Sequence, residues 1–81
     1  MSKGNAKAKM LKLIDEFNKS GREVIRTQLT RFHGQRRLDI RTWVFKDGDY
    51  IPTEKGVNLR IDQVDSLKRA IDKAAKEVEK T

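Results

Sequence analysis

From Glu23 to Phe32 the chain alternates. Ile25, Thr27 and Leu29 take one parity, and Val24, Arg26, Gln28, Thr30 and Phe32 the other, the period expected of a half-buried strand. His33-Gly34-Gln35 supplies a glycine for a tight connection. Alternation then resumes from Arg36 to Phe45, with Leu38, Ile40, Thr42 and Val44 facing one way and Arg37, Asp39, Arg41 and Trp43 the other. Lys46-Asp47-Gly48-Asp49 predicts a second turn. Tyr50-Ile51 begins a short third strand that Pro52 ends or confines to an edge, because proline donates no ladder hydrogen bond. A fourth strand follows Gly56, with Val57 and Leu59 inward and Asn58 and Arg60 outward.

The two flanks read as helices. After loose residues 1–4, Asn5 is a fair N-cap for a helix running to about Asn18, on which Met10, Leu13, Ile14 and Phe17 recur at helical spacing before Ser20-Gly21 ends it. Lys3, Lys7, Lys9 and Lys12 oppose the dipole at its start and predict fraying there. From Ile61 onward Val64, Leu67, Ile71, Ala74, Ala75 and Val78 form an apolar stripe, with Asp62 and Asp65 at the positive end of the dipole and Lys76 and Lys80 near the other. The pattern predicts an α+β domain of four strands and a C-terminal helix over residues 22–81, preceded by a tail and an extra helix over residues 1–21. Eighty-one residues bury only a modest core, so a homodimer is expected.

Charge changes this picture from a fold to a surface. The chain carries +7, distributed as +3 over residues 1–21, +4 over 22–60 and zero over 61–81. Residues 22–41 hold six arginines against Glu23 and Asp39, with Phe32 and Trp43 close by. Guanidinium groups grip phosphate bidentately and bases stack on aromatic faces, a pairing suited to unpaired strands. An anionic membrane is the other polyanion such a charge favours, but the balanced C-terminal stripe argues against a membrane-surface helix. With no cysteine, one histidine (His33, read as a turn residue) and no paired carboxylates or nucleophile at interpretable spacing, neither catalysis nor a metal or other cofactor is expected. No apolar run approaches a membrane span or a signal h-region, so the expected location is intracellular: cytoplasmic and nucleoid-associated in a bacterium.

The string Leu38-Asp39-Ile40-Arg41-Thr42-Trp43, Phe32-x-Gly34 before it, and a glycine-containing turn, Pro52, Lys55-Gly56-Val57-Asn58-Leu59 and an amphipathic helix after it, resembles the C-terminal domain of the positive cofactor four transcriptional coactivators, in particular the short bacterial members. The resemblance covers about residues 22–79. It implies a curved four-stranded antiparallel sheet followed by one helix, in a dimer formed partly through that helix, whose strands groove single-stranded DNA with little sequence preference and also take melted duplex. It also implies DNA contacts for Phe32, Arg41, Trp43 and Lys55, the match at Trp43 requiring one residue fewer after Arg41 than the eukaryotic pattern has. Thr30, His33, Gln35, Ile51 and Glu54 stand where that pattern has basic residues, so its lysine-rich contacts are not reproduced.

Each site residue has a plainer competitor. Trp43 and Phe32 stack on bases or complete the core; Arg41 and Lys55 bind phosphate or serve as ordinary surface charge, Arg41 with Asp39 or Glu54 as a possible ion partner. Arg26 and Arg60 join the candidate set through their outward parity, and Asp39 reads as an orienter of a neighbouring arginine. The functional expectation is a homodimeric single-stranded DNA-binding protein of transcription, replication or repair. The alternatives are an adaptor binding the transcription machinery and an RNA-binding module, since stacking and phosphate contacts do not read the 2′-hydroxyl.

Overall fold

The computed structural model describes residues 9–80. Four strands, β1 (Lys9–Ser20), β2 (Glu23–Phe32), β3 (Gln35–Lys46) and β4 (Asp49–Arg60), form one antiparallel meander in the order β1-β2-β3-β4. A single 3₁₀ turn, Ile61–Gln63, leads into helix α1 (Val64–Lys80).

Two-residue turns explain the meander. His33 and Gly34 have φ of 52° and 76°, and Asp47 and Gly48 have 54° and 83°. Two successive left-handed residues make the type I′ turn, whose twist matches that of the strands it joins. Tight turns fix register: Phe32 faces Gln35 across the first, and Lys46 faces Asp49 across the second.

The central expectation holds at β2 and β3. Their pairing runs without a shift, Val24 against Trp43, Arg26 against Arg41, Gln28 against Asp39 and Leu29 against Leu38. Residues directly opposite share a face, so the parities read from sequence become two surfaces. One is polar: Arg26, Gln28, Thr30, Arg37, Asp39, Arg41 and Trp43, continued on β4 by Asn58 and Arg60. The other is aliphatic: Ile25, Leu29, Leu38, Ile40, Val44, Val57 and Leu59.

The expected N-terminal helix is corrected. Its described part, from Lys9 on, is β1, paired with β2 along its length and interrupted between Met10 and Lys12, Leu13 and Asp15, and Asn18 and Ser20; residues 5–8 of that helix lie outside the described residues. The boundary expected between residues 21 and 22 falls in the turn joining β1 to β2. The expected third and fourth strands are one strand, β4. Its register shifts where Arg41 faces Gly56 but Trp43 faces Pro52, a bulge that lets Pro52 sit within an edge strand.

The bulge also fixes Gly56. A Cβ there would lie 2.8 Å from Arg41 Cα and 2.9 Å from Arg41 Cβ, closer than side-chain carbons approach. Beside it Thr53 Oγ1 donates to the Thr42 carbonyl at 2.8 Å, closing the loop onto β3.

The described residues of the single chain do not close a core. Among the described residues only Val24 is a buried hydrophobic; Ile51, Val57 and Ile71 are exposed, and no residue of α1 is buried. The radius of gyration is 14.1 Å, against about 11–12 Å for a compact domain of this length.

Candidate nucleic-acid interface

The polar face is built around two tethered arginines. Arg41 donates through Nη2 and Nε to Asp39 at 2.9 and 3.2 Å, and through Nη1 to the Thr53 carbonyl at 2.8 Å. Asp39 is buried and also accepts from Asn58 Nδ2 at 3.2 Å, while Asn58 Oδ1 accepts from Arg37 Nε. The result is a ladder across β3 and β4, Arg37–Asn58–Asp39–Arg41. Asp39 thus pairs with the neighbouring Arg41, as the sequence reading expected, and its charge is met by a guanidinium.

Arg26 is the second. Its guanidinium lies 4.6 Å from the centre of the Trp43 ring and 5.0 Å from that of Tyr50, and its Nε donates to Glu16 Oε1 at 2.6 Å. Tyr50 in turn packs edge-on against Phe45 with ring centres 5.2 Å apart. Trp43, Tyr50 and Phe45 therefore form an aromatic cluster at the Asp47-Gly48 end of the sheet, with Arg26 among them. The indole Nε1 is buried without a protein acceptor.

Not every candidate joins this cluster. Phe32 lies on the same face but at the opposite end, eight β2 positions from Val24, which faces Trp43; at the usual strand rise that is roughly 26 Å. Its ring packs on His33 with centres 4.1 Å apart. Arg60 is at that end too, opposite Arg37 and paired with Asp62 at 3.1 Å. Lys55 is exposed on the bulge and lines a shallow depression with Ile25, Ile40, Thr42 and Val57, on the aliphatic side. Arg31 and Arg36 face each other across β2 and β3 on that side as well, Arg31 donating to the Gly34 carbonyl at 3.2 Å.

Four contributors escaped the sequence reading, Phe45 having been read only as the end of a strand. Arg37 had the right parity but was left out of the site. Tyr50 was legible in principle, because a two-residue turn at Asp47-Gly48 places it opposite Phe45, two positions from Trp43. Glu16 was lost with the helix assignment.

Residues 17–70 match the family model described as Transcriptional Coactivator p15 (PC4). The chain belongs to the PC4 family. Two crystal forms of a PC4 homolog from Burkholderia pseudomallei share the fold. The tetragonal form is 29% identical with a TM-score of 0.73, covering 79% of this chain and 96% of that one. The orthorhombic form is 30% identical with a TM-score of 0.75, covering 82% and 90%. No curated protein matches the chain. The PC4 match runs from Phe17 in β1 to Ala70 in α1, so it contains both tethered arginines and the aromatic cluster but stops one residue short of Glu16.

Proposed function

We propose that this PC4-family protein is a homodimeric, non-enzymatic single-stranded DNA-binding protein acting in transcription, replication or repair, with the polar sheet face as its groove. The observation that carries the reading is the gathering of Trp43, Tyr50, Arg26 and Arg41 on one face, on the parity opposite the aliphatic residues. An aromatic cluster flanked by guanidinium groups offers stacking to any base and charge to any phosphate. Affinity without sequence preference follows.

Dimerisation is supported by what one protomer leaves uncovered. The aliphatic sheet face and the α1 stripe are both apolar and only half-buried to exposed, with Val57 and Ile71 open to solvent, and a second copy supplies a cover for each through one two-fold axis.

The test is fluorescence anisotropy with oligo(dT) and a matched duplex. The single strand is expected to bind more tightly, with affinity falling steeply as salt rises. Trp43→Ala is expected to cost roughly 1–3 kcal/mol of single-strand binding. Equal or tighter duplex binding rejects the groove.

A further inference from the structure

Trp43 does not stand bare in the free protein. The Arg26 guanidinium occupies a position over its ring, 4.6 Å from the centre, and Glu16 holds it there through a charged hydrogen bond of 2.6 Å. Glu16 and Arg26 are register partners across β1 and β2, so the carboxylate is placed by the sheet itself and not by a loop. A guanidinium over an indole takes the place that a stacked base would take.

We propose that Glu16 is a positioning residue of the groove: a tether that keeps Arg26 over the Trp43–Tyr50 cluster until a backbone phosphate draws the guanidinium away. The proposal rests on the single-strand reading and deepens it by coupling two events. Phosphate offers Arg26 a stronger, bidentate acceptor than the single bond to Glu16, and the departing side chain bares the ring for the adjoining base. A base without phosphate has nothing with which to displace the tether. The groove is therefore set to take nucleotides in a strand and to refuse free bases and nucleosides.

The experiment uses Glu16→Gln, which removes the charge and keeps the shape, beside Asp15→Asn, which removes the same charge one residue away, on a position facing Thr27 and thus the other side of the sheet. Oligo(dT) binding at low salt is expected to tighten about two- to fivefold in E16Q, the range of a part-exposed ion pair, and to change little in D15N. In an Arg26→Gln background E16Q should give no gain, because the tether has nothing to hold. Equal tightening in E16Q and D15N reduces the effect to net charge and overturns the proposal.

A second readout needs no nucleic acid. Trp43 is the single tryptophan of the chain, so acrylamide quenching of the free protein reports access to that ring. Quenching is expected to rise in E16Q and further in Glu16→Ala, but not in D15N; unchanged quenching overturns the tether. Wild-type protein that fails to bind oligo(dT) overturns the groove reading instead, and quenching of the free protein still decides the tether.

Discussion

Asp39 is the acid that the proposed DNA-binding face would be expected to avoid, yet it is among the best-held side chains of the polar sheet face. Its two oxygens take two hydrogen bonds from Arg41 and one from Asn58, and both partners of the ion pair are largely buried, at 8% and 16% side-chain exposure. Removing one member of such a pair leaves a charge without its counter-ion, which typically costs 3–5 kcal/mol in a fully buried site. Here the Thr53 carbonyl retains part of Arg41's bonding, so Asp39→Asn is expected to lose about 2–3 kcal/mol by thermal or urea denaturation. The same variant should bind oligo(dT) more tightly at low salt, since the freed guanidinium gains a phosphate to neutralise. Lower stability with tighter binding marks Asp39 as an orienter held against function. A variant as stable as wild type would show that the ladder contributes nothing to the sheet.

The elements show what a sequence can and cannot reveal. β2 and β3 were readable because their pairing has no interruption, so a period of two along the chain equals two faces in space. β1 was unreadable for the opposite reason. Its shifts fall so that Met10, Leu13, Glu16 and Asn18 face the polar side, a spacing of three, three and two. Bulges at such intervals move the apparent period from that of a strand towards that of a helix, so Met10 and Leu13 fall at helical spacing, and Phe17, which pairs with Ile25 on the opposite face, extends the stripe in sequence alone. Only pairing with β2 selects the strand, and pairing is non-local. At β4, Pro52 signalled an interruption correctly, but whether the chain ends or bulges there depends on Gly56, which lets β4 press against Arg41. Gly56→Ala places a Cβ 2.8 Å from the Arg41 Cα, a contact with backbone that cannot swing aside. Overpacking of this kind costs roughly 1–3 kcal/mol. The expected result is a lower denaturation midpoint together with shifted or broadened amide resonances near Arg41 and Thr53; an unchanged midpoint would mean that the bulge relaxes freely.

At the scale of the whole molecule, the sheet has one face occupied by its own polar network and another with no layer over it. Two-layer packing is the ordinary way to bury a sheet's apolar face, and α1 supplies the right stripe, but none of its residues is buried and Ile71 is 57% exposed. A charge introduced at an exposed position of a monomer costs little; the same charge inside a subunit interface is removed from water and costs several kcal/mol. Ile71→Asp therefore separates the two situations without disturbing the groove. Wild-type protein is expected to sediment at twice the single-chain mass of 9.4 kDa, with a melting temperature that rises with concentration, because dissociation and unfolding are linked. Ile71→Asp should shift the mass towards one chain and lower the melting temperature, most at low concentration. A wild-type mass of one chain, with Ile71→Asp melting at the same temperature, would mean that the protomer tolerates its open aliphatic face alone, and the two-fold assembly would have to be abandoned.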